Sequence, residues 1–596
     1  MSPGRRFALL VGAALLVGCG LRIAIGLTDD APATDETAYL RSGISLAEGD
    51  GFVRGDRPEL HFPPLVPFVL GSLDRVLDNP HDGTVLVTIV SGTLLIVPLA
   101  LLARRVAGPG AGIVTAWVAA LAPGLATTPA ARGAGSEALY ALLVVGAVWL
   151  GVVAADHTGT RRALAAAGAG LAVGLSYLTR PEGLFVAVPL VVALVYAALR
   201  PAGGRVLAGL GDAGAIDVSA ARRDRGDDLG EGEGEDEGGE EAKDGDTGAV
   251  GTARRLRGAA VVVLAFAVPL IACVLPYMAF LHTHTGTWEL TAKTQDASIE
   301  AWQAVASNDR ERRDSVLYAV DESGLHFTAE GSPLPELARD DPAGYLKIVG
   351  TNVVTLLRNL AGWWLLPLPF WVVAGLGVWR LRGSAGAPTL WLLLAVAALP
   401  VATSLAFFVA PRYLVVTAAL ATVPVGAAVA AWTTRYRKPL MATGAVLLVI
   451  GSTMAFVGAG GWWHPQDLTD QQRAGEWIAA NTDPDDRIMV RSFVVDYYAD
   501  RPTLSVPYTD LDGIVAFGRH YGARYLVVDP HMVGRVRPQV AILAEEDSAP
   551  GLELVHEVTA EGRTTRIFAL VPTPPDPVGI DEDDIPTLGF AGDGFG

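Results

Sequence analysis

Cysteine, lysine and charge are all scarce in this chain. Only two cysteines occur in 596 residues, Cys19 and Cys273, each inside an apolar run. This excludes a disulfide framework and a cysteine-built metal site. Lysine occurs four times, against 41 arginines. No basic stripe is present, so nothing points to nucleic acid as a partner. Charged residues make up 18% of the chain, where soluble globular proteins carry about 25%. No glycine-rich phosphate loop is visible, so nothing marks a nucleotide site.

What is abundant is apolar length. Hydrophobic residues make up 51% of the chain and mean hydropathy is +0.37. Stretches of about 20 residues with almost no charge recur, long enough to cross a bilayer. Eleven are expected, at about 7–27, 84–103, 111–128, 138–155, 163–178, 184–199, 258–280, 361–379, 389–409, 413–432 and 439–460. The chain therefore reads as a polytopic α-helical membrane protein. Leu16-Val17-Gly18-Cys19 resembles a lipoprotein cleavage site, but the apolar run continues through Leu27, as a retained helix would.

The formal net charge of −18 is mostly local. Residues 212–246 hold fourteen acids against four bases, and residues 575–596 hold six acids and no base, leaving about −2 for everything else. Both segments have too few apolar residues to offset their ordering entropy and read as solvated and disordered.

Arginine asymmetry sets the orientation. Arg104-Arg105, Arg161-Arg162, Arg254-Arg255 with Arg257, Arg380 with Arg382, and Arg435 with Arg437 and Lys438 lie in one set of loops. Single arginines, Arg132, Arg180 and Arg412, lie in the other. The first set is expected to be cytoplasmic, with the N-terminus, and an odd span count places the C-terminus outside. This divides the chain into a transmembrane domain, 1–460, with outer loops at 28–83 and 281–345 and an acidic cytoplasmic loop at 201–253. Beyond it, helix-like Arg473–Asn481 and the apolar runs Arg487–Val490 and Tyr525–Asp529 predict a small extracytoplasmic α/β domain over 461–572. An acidic tail follows at 573–596. Trp462-Trp463 at the membrane exit reads as an interfacial anchor.

The spans are nearly free of ionisable groups, whereas transporters and channels keep such groups near the midplane. Chemistry is therefore expected at the outer ends. In the first outer loop, Asp35 stands near the start of a helix-like stretch. It can be read as a helix cap or as a general base. Arg180 and Arg412 at the outer boundary suit phosphate binding, or simply snorkel toward water. Arg132 belongs to the same group, and Glu137 either holds a sugar hydroxyl or caps a helix. His282 and His284 form a His-x-His pair, but zinc needs at least three protein ligands and no third is near. A surface or substrate-contact reading is preferred, and no metal is assigned. Lys293 nearby could meet a phosphate.

A family resemblance joins these fragments. Asp35-Glu36 with Tyr39, then Leu46-Ala47-Glu48-Gly49-Asp50-Gly51-Phe52, then Phe62-Pro63-Pro64-Leu65-Val66-Pro67 resembles the opening of the GT-C superfamily of membrane glycosyltransferases. It is more narrowly similar to the family 39-type group of protein O-mannosyltransferases and aminoarabinose transferases. Ala131-Arg132 through Ser136-Glu137 and Tyr140, Leu178-Thr179-Arg180-Pro181-Glu182-Gly183, and Pro411-Arg412-Tyr413 follow in the expected order. The resemblance implies transfer of a sugar from a polyprenyl-phosphate carrier to a lipid, glycan or protein acceptor at the extracytoplasmic face of the plasma membrane. It implies Asp35, with Glu36 beside it, as the catalytic acid position. Glu137, Arg180, Glu182, Arg412, Tyr413, His61, Arg132 and Lys293 are the expected substrate contacts. No cofactor is implied, and a divalent cation is left open. One departure is Phe62, where some relatives carry a phosphate-binding lysine; His61 is the candidate substitute. A non-enzymatic transporter or flippase for lipid-linked sugars is the competing reading.

Overall fold

The computed structural model describes residues 2–27, 34–54, 57–77, 79–126, 136–200, 244–292, 318–321, 324–327, 338–361, 365–407, 409–435, 468–507, 509–530, 532–560 and 562–571. Among these, eight helices are long and apolar enough to cross a membrane: Pro3–Gly26, His81–Ala107, Ser136–Asp156, Gly159–Thr179, Pro181–Leu199, Arg255–Thr285, Ala387–Ala406 and Pro411–Trp432. Each coincides with an expected span. Two further expected spans are shorter helices, Pro109–Leu121 and Leu368–Leu381, and the eleventh, 439–460, lies outside the described residues.

The helices used below are α1 (Pro3–Gly26), α2 (Thr34–Glu48), α3 (Leu65–Asp74), α4 (Pro80–Leu94), α5 (Ile96–Ala107), α6 (Pro109–Leu121), α7 (Pro123–Ala126), α8 (Ser136–Asp156), α9 (Gly159–Thr179), α10 (Ala187–Leu199) and α11 (Asp244–Thr285). They continue as α12 (Pro342–Ala361), α13 (Leu368–Leu381), α14 (Ala387–Ala406) and α15 (Val415–Arg435). Small and aliphatic side chains from α1, α5, α6, α8, α9 and α13–α15 build one continuous apolar core. Such residues let helices approach closely where no hydrophobic effect drives them together.

Span 111–128 is cut short by Pro123, which forces Ala122 into an extended conformation and ends α6 at Leu121. The carbonyls left at this end are met by Arg22, a guanidinium buried inside α1. It donates to Ala119 O at 3.3 Å, Ala120 O at 3.5 Å and Leu125 O at 2.6 Å. A second side chain does the same for α14: Asn352 of α12 donates to Leu405 O and Phe407 O at 3.0 and 3.1 Å. Helix α11 begins at Asp244, within the stretch read as acidic linker, and runs through Thr285, past the expected end of its span. Residues 201–243 lie outside the described residues.

Contacts define the two ends of the bundle. At one end, Arg105 forms a two-bond pair with Asp156 at 2.6–2.7 Å, and Arg104 lies over the Phe7 ring. The first turn of α1, the last turn of α5 and the last turn of α8 therefore meet there. Arg104 and Arg105 thus stand at the end opposite Ser136, where α8 begins.

In the first loop, α2 and α3 cross so closely that a Cβ on Gly43 or Gly71 would strike the other helix's backbone. Tyr39, Leu40, Phe62, Val66 and Leu70 pack around this crossing. Further along, residues 468–571 form helices α16 (Thr469–Asn481), α17 (Phe493–Ala499) and α18 (Leu511–His520) on a six-stranded sheet. Its strands are β1 (Arg487–Val490), β2 (Thr503–Ser505), β3 (Ala523–Val528), β4 (Ser548–Ala549), β5 (Leu552–Ala560) and β6 (Arg563–Leu570), in spatial order β2-β1-β3-β6-β5-β4. Strand β1 runs parallel to β2 and β3, and the remaining pairs are antiparallel. Helix α17 seats this unit on α2: Arg41 donates to the Asp496 carbonyl, with its Nε 3.6 Å from the Asp496 carboxylate. Tyr497 packs against the α2–α3 cluster.

Candidate active site

Four chain segments end together at the face of the bundle away from Arg104 and Arg105. Asp35 is the second residue of α2 and Glu137 the second of α8. Arg180 stands extended between α9 and a 3₁₀ turn, Pro181–Val186, that leads into α10. Arg412 and Tyr413 lie in a 3₁₀ turn, Pro411–Leu414, that leads into α15. Proline starts both turns, because its missing N–H costs nothing at a helix start. Gly183 lets the first turn close on α9; a Cβ there would meet Ser176 and Tyr177 at 2.5–2.7 Å.

The side chains form one charge network. Arg412 NH1 donates to Asp35 Oδ2 at 2.8 Å, and its Nε lies 3.9 Å from Glu137 Oε1. Arg180 NH1 donates to the same Glu137 oxygen at 2.9 Å, with Glu182 3.9 Å from its NH2. The Tyr413 ring lies under both guanidiniums, 5.0 Å from Arg180 and 5.4 Å from Arg412, a cation–π arrangement that holds the cations together. Ser136 Oγ donates to the second Glu137 oxygen at 3.3 Å and accepts from Arg180 at 3.4 Å. Burial would lower the Arg180 guanidinium, but the Glu182 and Glu137 carboxylates outweigh it and hold it above its ordinary value. It therefore stays cationic. Burial, then Asp35 and Glu137, push the Tyr39 hydroxyl upward, so it remains a neutral donor beside Ser136.

Six of the residues singled out in the sequence thus meet: Asp35, Glu137, Arg180, Glu182, Arg412 and Tyr413. Glu36 does not join them. Successive helical residues point about 100° apart, and Glu36 is turned into the protein, fully buried with Oε1 2.6 Å from His81 Nδ1. His61 sits in the turn before α3, its backbone N–H donated to Glu59 at 2.8 Å and its ring against Phe62. Arg132 and Lys293 lie outside the described residues. His282 and His284 sit on α11 and diverge, His282 stacking on Trp288 and His284 bonding the Phe280 carbonyl. Tyr39 and Ser136 line the network although neither was singled out; both stand inside the motifs that carried the family resemblance.

The site is thus built where apolar helices bring an acid of the first loop against arginines of later turns. Residues 61–209 match the family described as dolichyl-phosphate-mannose-protein mannosyltransferase. Among solved structures, the chain is similar to ArnT from Cupriavidus metallidurans bound to undecaprenyl phosphate, with 15% identity, coverage of 96% of this chain and 99% of that one, and a TM-score of 0.53. It is also similar to the Archaeoglobus fulgidus oligosaccharyltransferase in complex with zinc and sulfate, with 13% identity, coverage of 88% and 68%, and a TM-score of 0.51. A further likeness is to AglB from the same organism with an inhibitory peptide and a dolichol-phosphate, at 13% identity, coverage of 94% and 74%, and a TM-score of 0.50. At such identities the likeness is one of fold. No curated protein is similar enough in sequence to match. The GT-C resemblance read from the motifs is borne out.

Proposed function

We propose that this chain transfers a sugar from a polyprenyl-phosphate-linked donor to a lipid, glycan or protein acceptor at the extracytoplasmic face of the cell membrane. The observation that carries the reading is the network of Asp35, Arg412, Glu137 and Arg180, which gathers a carboxylate base and two cations at one membrane face. The arginine-rich loops expected to be cytoplasmic support reading that face as the outside.

In the reaction, Asp35 takes the proton of the acceptor hydroxyl as its oxygen bonds to the anomeric carbon. The bond from that carbon to the phosphate oxygen breaks, and the electron pair leaves with the lipid phosphate. Arg412 and Arg180 neutralise the charge that develops there. Displacement in one step inverts the anomeric centre. Glu137 and Glu182 are assigned to holding the arginines and sugar hydroxyls. Tyr413 fixes the arginine planes, and His61, Arg132 and Lys293 remain proposed contacts to the donor. The reading invokes no cofactor.

Mass spectrometry of cell-envelope glycans and lipids, with and without this protein, tests the proposal. A sugar missing from one acceptor, with its polyprenyl-linked precursor accumulating, is the expected result. Unchanged glycans and precursors would overturn it.

A further inference from the structure

We infer that Asp35 is the resting occupant of the donor phosphate's seat, and that the donor displaces it from Arg412, freeing the bonded oxygen to serve as base. This rests on the reading that the network receives a polyprenyl phosphate.

Charge balance is the first reason. Among the described residues, two guanidiniums, Arg180 and Arg412, face three carboxylates, Asp35, Glu137 and Glu182. Among these residues no cation is left without a carboxylate beside it. A phosphate that binds Arg412 therefore competes with the carboxylate already on it.

Exposure shows which one leaves. The Glu137 and Arg180 side chains are 9% and 16% exposed, and Glu137 is held further by Ser136. Asp35 and Arg412 are 29% and 40% exposed. A half-exposed ion pair is worth at most about 1 kcal/mol, so this bond exchanges at little cost while the buried one stays. Glu182, 42% exposed and 3.9 Å from Arg180, is already loose. The phosphate therefore arrives on Arg412, with the nearby Arg180 as its second cation.

The same bond holds one of the two Asp35 oxygens. Oδ2 is engaged with Arg412 NH1 at 2.8 Å and is not open to an acceptor hydroxyl. Phosphate on Arg412 frees that oxygen once the donor is seated. After transfer, Asp35 passes its proton to water and recaptures Arg412, which favours release of the lipid phosphate.

The test is binding of undecaprenyl phosphate to the purified full-length protein in lipid nanodiscs, comparing wild type, Asp35→Asn, Asp35→Ser and Arg412→Ala. Removing the competing carboxylate should tighten binding about three- to fivefold in both Asp35 variants, and Arg412→Ala should weaken it. The serine variant guards against a folding defect peculiar to asparagine. Wild-type binding with equal or weaker binding by both Asp35 variants overturns this inference and leaves the functional reading standing. Binding by none of the proteins overturns both.

Discussion

Arg22 offers the sharpest test of how the bundle is built. Ala119 would normally give its carbonyl to the N–H four residues on, but residue 123 is proline and has none. Leu125 stands near the end of α7, where carbonyls again lack a helical partner. Arg22 supplies both, at 3.3 and 2.6 Å, while its contact at 3.0 Å to Gly18 O is a second bond on a carbonyl inside α1. In Arg22→Leu, two buried carbonyls lose their donor at about 1–3 kcal/mol each. Relief from burying a charge offsets part of this, leaving a net loss of about 2–4 kcal/mol.

At roughly 2 °C per kcal/mol for a large domain, the melting temperature should fall by about 4–8 °C. The assay is the fraction of detergent-solubilised protein that stays monodisperse on size exclusion after heating, an operational Tm because unfolding in such systems is irreversible. Pro123→Ala provides the internal control. It restores an N–H and lifts the constraint on Ala122, so α6 can continue and satisfy Ala119 itself. The double variant should recover about 1 kcal/mol relative to the sum of the singles. An Arg22→Leu protein that melts with wild type, or a double variant that shows no coupling, refutes the carbonyl argument.

Asp35→Asn should lower transfer by about 10²–10⁴-fold at unchanged thermal stability, whereas a transporter would keep most of its flux; activity within about threefold of wild type removes Asp35 as base. Glu36→Leu should lower the melting temperature through loss of the buried Glu36–His81 bond, and an unchanged melting temperature would show that this bond does not hold α2. Arg41→Ala should speed hydrogen exchange of the α2 amides, and exchange at the wild-type rate would show that α17 does not support that helix. A single cysteine replacing exposed Asn481 should react with a membrane-impermeant maleimide on intact cells; reaction only after lysis reverses the orientation.

The site was legible as scattered fragments, because each of its residues belongs to a short motif at the end of an apolar run. Their meeting was not, since Asp35 and Arg412 stand 377 positions apart and no local pattern encodes that contact. Glu36 points away from the network because adjacency in sequence is divergence on a helix. Arg22 went unread inside a run that otherwise looks like any span, although a lone charge at such a position is itself a signal. Pro123 carried a second signal, since a proline within span 111–128 implies a break and a carbonyl in need of a donor. Helix α12 was missed for a different reason. It carries Lys347 and Arg358 and several polar residues, so it lacks the hydropathy of a span, and Asn352 reaching the end of α14 and the buried Leu356 place it against the bundle.

The tail and the bundle are less separate than composition suggests. Helix α2, which carries Asp35, is gripped on three sides: by α3 at the Gly43–Gly71 crossing, by His81 of α4 through Glu36, and by α17 through Arg41 and Tyr497. A general base must be held within a fraction of an ångström of its working position, and a helix of 15 residues in a first loop has little intrinsic rigidity. Strand β1 feeds directly into α17 through Arg491 and Ser492, and Ser492 caps α17 by accepting from Val495 N–H at 3.1 Å. The sheet is thereby coupled to the helix that carries the proposed base. A change in the sheet far from the membrane that loosens α17 therefore acts on Asp35 without touching the substrate.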